Sequence, residues 1–224
     1  MKKPALNPIA VVLLLLLAGF LLMGLLRGKS AVDARRAQLL ENDFRNIARA
    51  LHQYDSKFGA LPGDDPAAGS AHLQRAVLCA PRADNKCAPG NGVIDGYWNA
   101  TGTASESYLV WQHLRLAGLM EGATDPASSN YLPKNGEGGR IGITSERNSP
   151  IAGLHGAQII CSDHIKASLA RTVDAALDDG TPRSGKVMVT AEGTTTGGEA
   201  IAASDLADGK HYLVCMGTGT APAN

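Results

Sequence analysis

The chain is short of aromatic residues, short of net charge and short of any motif that marks an enzyme. Phe, Trp and Tyr make up 4% of its 224 residues, so a large core built on ring packing is excluded. Lys+Arg and Asp+Glu both number 21. That balance argues against a nucleic-acid partner, which would call for a basic excess. No Gly-x-Ser-x-Gly elbow, His-Glu-x-x-His helix or phosphate-binding loop occurs. The histidines are scattered at positions 52, 72, 113, 155, 164 and 211, and His113, inside a helical pattern beside apolar residues, reads as a packed side chain rather than a base. An enzyme is not expected.

What is present begins with an apolar run. Residues 9–26 are 18 consecutive uncharged residues, and at about 1.5 Å per residue they make roughly 27 Å of helix, close to the hydrocarbon thickness of a bilayer. Lys2 and Lys3 precede the run and Arg27, Lys29, Arg35 and Arg36 follow it, so charge alone leaves the orientation open. The cysteines favour a cytoplasmic N-terminus. A cleaved secretory signal would have a shorter apolar region, and Val32-Asp33-Ala34 is a poor cleavage site. A retained anchor over residues 1–29 is the reading.

Beyond it, Ala37, Leu40, Phe44, Ile47, Leu51, Tyr54 and Phe58 recur at steps of 3 and 4, a seam along one face of a helix. No Pro or Gly interrupts residues 30–58; Gly59 then supplies a left-handed cap and Pro62 prevents resumption. Anchor and seam together predict a helix of about 50 residues, roughly 75 Å long. The seam could serve a coiled-coil stalk, but a globular remainder follows, so packing of this half on its own head (residues 59–224) is expected.

Cys79, Cys87, Cys161 and Cys215 are an even set, read as two disulfides in an exported chain. A local Cys79–Cys87 bridge is the simplest choice, and Cys161 and Cys215 end apolar runs that could be adjacent strands. The rival is a zinc site using Cys161 and His164, but the Cys79-to-Cys87 spacing suits no common zinc knuckle.

In the head, residues 61–66 carry turn chemistry, and a second loop covers residues 81–99. A helix is predicted from Thr103 with Glu106 completing a capping box, ending at Gly118. Another is predicted with Ser162 as N-cap, on Ile165, Leu169, Val173 and Leu177, closed by Gly180. Strands are expected near 140–144, 157–161, 186–190 and 211–216. Residues 135–139 and 193–199 read as flexible, and 217–224 as a disordered tail. The fold class is α+β: a small antiparallel sheet with helices packed to one side.

Four segments carry a resemblance. Residues 54–65 (Tyr-Asp-Ser-Lys-Phe-Gly-Ala-Leu-Pro-Gly-Asp-Asp), 90–96 (Gly-Asn-Gly-Val-Ile-Asp-Gly), 111–119 and 177–182 follow one another in an order that resembles the type IV pilin and type II secretion pseudopilin superfamily. The resemblance implies a pilin-like head on a long N-terminal helix, and a structural or accessory (minor pilin-like) subunit of a type IV pilus or type II secretion pseudopilus. Its implied partners are other pilin or pseudopilin subunits, the inner membrane and an assembly platform. Its implied place is a Gram-negative inner membrane with a periplasmic or surface-filament head. Leu40, Phe44, Ile47, Leu51, Tyr54 and Phe58 would grip the head, and Pro62, Gly63 and Asp64 would shape the junction turn. The family's leader ends in Gly before Phe-Thr-Leu-Ile-Glu; here Gly19-Phe20 is followed by Leu-Leu-Met-Gly, and no acid precedes Asp33. That departure puts processing and glutamate-guided packing in question, and leaves as alternative a non-assembling, membrane-anchored binding module.

Asp178 and Asp179 sit at a helix C-terminus, where the macrodipole disfavours negative charge, so an amide, Arg183 or a cation should compensate. Some pseudopilins bind calcium in a head loop. The resemblance therefore makes Asp178 and Asp179, the pair Asp64 and Asp65, and the loop residues Asp84, Asn85, Asn91 and Asp95 calcium candidates, against the favoured alternative that they tie loops. No other cofactor is expected.

Overall fold

The computed structural model describes residues 8–82, 84 and 87–219, with the backbone alone at residue 10 and residues 21–30. Helix α1 runs over Pro8–Phe58, 51 residues, about 77 Å at helical rise. No Pro interrupts it after its first position, and Gly59 closes it at φ +63°, its N–H donating to the Asp55 carbonyl at 2.7 Å. Ile9, Leu13 to Leu17 and Phe20 are exposed in its first half. Among the described residues no helix is long and apolar enough to cross a membrane; the span expected at 9–26 runs into side chains that lie outside them, as do Lys2 and Lys3.

The second half of α1 enters a mixed α and β head. Its remaining elements are α2 (Glu106–Leu116), β1 (Ile141–Thr144), β2 (Gln158–Lys166), α3 (Ala167–Leu177), β3 (Val187–Ala191) and β4 (His211–Thr218). The four strands form one antiparallel sheet in the order β1-β2-β4-β3. Strand alternation sorts side chains onto two faces. Ile160, Ile165, Val187, Val189, Tyr212, Val214 and Met216 meet α1, α2 and α3 in the main core. Ile159, Cys161, Met188, Leu213 and Cys215 face the other way, under Trp98, Ile151 and Leu154. The helices lie on one face and a loop layer covers the other.

Several local expectations change. Helix α2 begins at Glu106, not Thr103, and no side chain caps it: the Glu106 carboxylate is taken by the Ala88 and Asp95 amides (2.7 and 2.8 Å), so the capping box does not form. Its C-terminus closes as a Schellman turn, Gly118 N–H donating to the Arg115 carbonyl and Leu119 N–H to that of Leu114. Ser162 is no N-cap. It lies within β2, paired with Ile141 and Val214, and α3 starts only at Ala167. Ile165 therefore belongs to the strand; its spacing to Leu169 mimics a helical turn across a strand-to-helix join.

Residues 135–139 are not loose. Asn135 is buried; its Nδ2 donates to Ser162 Oγ (2.8 Å) and the Asp163 carbonyl (2.7 Å), and its Oδ1 accepts from the Glu137 and Gly139 amides (2.9 Å each). Nor does the tail begin at 217: Gly217 and Thr218 pair with Ile159 and Gln158 in the sheet. Residues 220–224 lie outside the described residues.

Candidate functional site

The residues singled out from the sequence meet at the seam of α1 and at the turn that follows it. Leu40, Phe44, Ile47, Leu51 and Tyr54 are all at or below 4% exposure, each contributing about 1.5–3 kcal/mol on burial. Ala50, which the seam reading passed over, is buried with them; an alanine carries too little apolar weight to stand out. Phe58 is half-buried, its ring 4.7 Å from that of Tyr54 and 4.9 Å from that of His72.

Pro62, Gly63, Asp64 and Asp65 are buried behind Phe58. Gly63 has φ +90°, and a Cβ there would stand 2.6 Å from the Glu106 carbonyl oxygen; only glycine fits. Its N–H donates to His113 Nδ1 (2.9 Å), and His113 Nε2–H donates to the Val77 carbonyl (3.0 Å). His113 is fully buried, and burial holds its pKa below the ordinary imidazole value. It is a neutral clamp between the turn and α2.

The Asp64 carboxylate accepts the amides of Gly90 (2.6 Å), Asn91 (3.1 Å) and Gly92 (2.9 Å). Burial still raises its pKa against these three donors, with Asp95 adding repulsion. Asp65 accepts from Tyr54 Oη (2.8 Å) and the Ala67 amide (2.9 Å) and pairs with His72 Nδ1 (2.7 Å). For Asp65, burial pushes upward, but the His72 and Tyr54 hydrogen bonds outweigh it and hold the carboxyl below its usual range. Glu106 is fully buried, and desolvation pushes its pKa up to about 7 despite its two amide donors.

The loop candidates for calcium meet donors. Asn91 Nδ2 donates to Asp95 Oδ2 (2.9 Å), and the Arg147 guanidinium pairs with Asp95. Asp84 pairs with Arg82; Asn85 lies outside the described residues. At the end of α3, Asp178 Oδ2 accepts the Lys186 and Val187 amides (2.6 and 3.0 Å), and Asp179 Oδ1 the Thr181 amide (2.8 Å). Backbone amides thus supply the compensation that the helix terminus demands. Beside them lies Asp174, which sequence reading missed. It is fully buried, both carboxylate oxygens lack a hydrogen-bond partner among the described residues, and desolvation with repulsion from Asp179 and Asp178 pushes its pKa up to about 7. Its signal was available: Asp174 precedes Asp178 by four residues, the spacing of neighbours on a helix face, although α3 itself ends at Leu177. Ligand oxygens of all three lie within 4.8 Å of one another.

Both disulfides are formed. Cys79–Cys87 closes the second loop with its Cα atoms 6.0 Å apart, and Cys161–Cys215 joins directly opposed residues of β2 and β4 with Cα atoms 4.1 Å apart. No described cysteine is free, which removes Cys161 from any zinc site.

The junction is built to hold a shape. Its buried carboxylates are consumed by backbone amides, a tyrosine, a histidine and an arginine, so it fixes how the long helix leaves the head. Comparison with protein-family models, curated proteins and solved structures finds no match.

Proposed function

We propose that the chain is a pilin-like structural or accessory subunit of a type IV pilus or type II secretion pseudopilus, assembling through its long N-terminal helix. The observation that carries this reading is the division of α1. Leu40, Phe44, Ile47, Leu51 and Tyr54 are buried in the head, whereas Ile9, Leu13 to Leu17 and Phe20 are apolar and exposed. An exposed apolar helix half of this kind calls for a cover, and lipid before assembly and sister helices after it are the covers a pilin-like subunit would use. The disulfides suit a head outside the cytoplasm, in the periplasm or on a surface filament. The order of the resembling segments supports the same reading.

The second reading is a non-assembling, membrane-anchored extracytoplasmic binding module. It is favoured by one observation: no carboxylate precedes Asp33, so the apolar half offers no acid to guide packing against a neighbouring subunit. Immunoblotting of filaments sheared from the cell surface separates the two. A filament subunit co-purifies with them; an anchored module stays with the membrane.

Among the described residues, the end of α3 is where the candidate calcium ligands come together. Asp174 has two buried oxygens without a hydrogen-bond partner among the described residues, and Asp178 and Asp179 converge on it. These three would hold the ion, which would supply positive charge where three carboxylates and a helix C-terminus meet. Calcium should then raise the melting temperature of the wild type and leave Asp174→Asn unchanged; an equal shift in both would contradict the assignment.

A further inference from the structure

We propose that His164, His211 and Glu192 form a binding site for a borderline divalent transition-metal cation, zinc in the first instance, at the end of the sheet on its loop-covered face. The inference is independent of the subunit reading, because it rests only on side chains of the head.

Three strands bring the ligands together. His211 opens β4, Lys166 is its partner on β2, and Glu192 directly follows Ala191, which pairs with Tyr212. Glu192 is thereby the cross-strand neighbour of His211. His164 arrives by a β-bulge. Between the pairs Ser162↔Val214 and Ile165↔Tyr212, β2 spends two residues where β4 spends one, which turns Asp163 and His164 out on the same face. His164 takes φ +61°, and no other described non-glycine residue has a positive φ. A left-handed histidine inside a strand needs surrounding structure to hold it.

That structure is present. The Asp163 amide donates to the Arg140 carbonyl (2.9 Å), and Asn135 Nδ2 donates to the Asp163 carbonyl (2.7 Å). Gly139 lies so close that a Cβ there would stand 2.7 Å from His164 Cβ. The Lys166 ammonium is drawn to Glu137 at 3.1 Å, which offers it an alternative to the imidazoles.

The result is a compact donor set. The His164 and His211 rings stack with centroids 3.7 Å apart at 14°, and His164 Nδ1 lies 2.7 Å from Glu192 Oε1. Ligand atoms of the three residues fall within 4.8 Å of one another, so small side-chain rotations close them on one ion. Two imidazoles and a carboxylate are a nitrogen-rich set, suited to zinc and unsuited to calcium. Half-exposed His164 and Glu192 side chains leave a fourth position for water or a ligand from outside.

The test is titration of the full, untagged chain in detergent micelles with zinc chloride, against a competing chromophoric chelator, with thermal melts in parallel. One zinc per chain is expected. His211→Gln and Glu192→Gln should each weaken binding about tenfold or more, and His164→Gly should do the same while leaving the zinc-free melt equal or higher, since glycine suits the bulge. His52→Gln, an exposed histidine on α1 away from the cluster, should leave the titration unchanged. Absence of saturable binding up to about 1 mM zinc, a Kd that corresponds to weak association, would overturn the proposal. So would undiminished one-site binding in the His164→Gly/His211→Gln double variant.

Discussion

The two halves of α1 share one backbone and almost nothing else. The second half spaces its apolar residues at steps of three and four and buries them, down to Tyr54 at 0% exposure; the first half is apolar all round, and Leu14 is 69% exposed. A periodic pattern is what a helix needs to grip one partner on one side, while a continuous one suits a partner on every side. The head answers only the first demand, through α2, α3 and the sheet.

That contrast is broken most strongly by truncating the seam. Phe44→Ala should cost about 3–5 kcal/mol by analogy with buried phenylalanines elsewhere, whereas Leu14→Ala should change unfolding of the head by less than about 0.5 kcal/mol. Urea denaturation followed by far-UV circular dichroism of both variants in micelles measures the difference. Equal costs would mean that the head reaches further up the helix than residue 37.

The disulfides sharpen the comparison inside the head. Cys161–Cys215 spans a sequence separation of 54 and Cys79–Cys87 one of 8. By loop entropy the first should be worth about 4 kcal/mol and the second about 2.5 kcal/mol. Cys161→Ala/Cys215→Ala should therefore lower the denaturation midpoint more than Cys79→Ala/Cys87→Ala does.

A smaller effect is set by pH. Asp174 and Glu106 have folded-state pKa values raised to about 7, from 3.8 and 4.5. A carboxyl whose pKa is raised on folding binds its proton more tightly in the folded chain. Its contribution is therefore fully present below the unfolded pKa and is lost as pH rises towards 7. Stability should fall from about pH 4 to pH 7, by about 2 kcal/mol once rearrangement and water penetration are allowed for. Asp174→Asn should flatten part of that slope and stabilise the chain at pH 8. In the opposite direction, Asp65, whose pKa is lowered, makes its contribution above 3.8 and loses it in stronger acid.

The seam was legible because helix packing writes its period directly into the sequence, and Gly59 marked its end. The four strand positions were legible to within a few residues for β1, β3 and β4. What was not legible depended on residues distant in sequence. Thr103 and Glu106 have the spacing of a capping box, yet the Glu106 carboxylate is claimed by the amides of Ala88 and Asp95. Ser162 looks like a helix N-cap because a bulge in β2 ends beside α3, so that Ile165 falls in step with Leu169. Asn135 stands in a Gly-rich stretch that reads as flexible, and only the fold shows it tied to Ser162 and Asp163. Asp64 was placed at the junction by its turn chemistry, but its three amide donors come from residues 90–92.

We propose that the working protein keeps the apolar half of α1, covered by lipid or by sister helices. Intact-mass and N-terminal mass spectrometry of the chain recovered from carbonate-washed membranes and from sheared filaments tests it most directly. The chain should resist the wash, and its N-terminus, processed or not, should lie at or before residue 9. A chain released by the wash, or one that begins after residue 26, would contradict it.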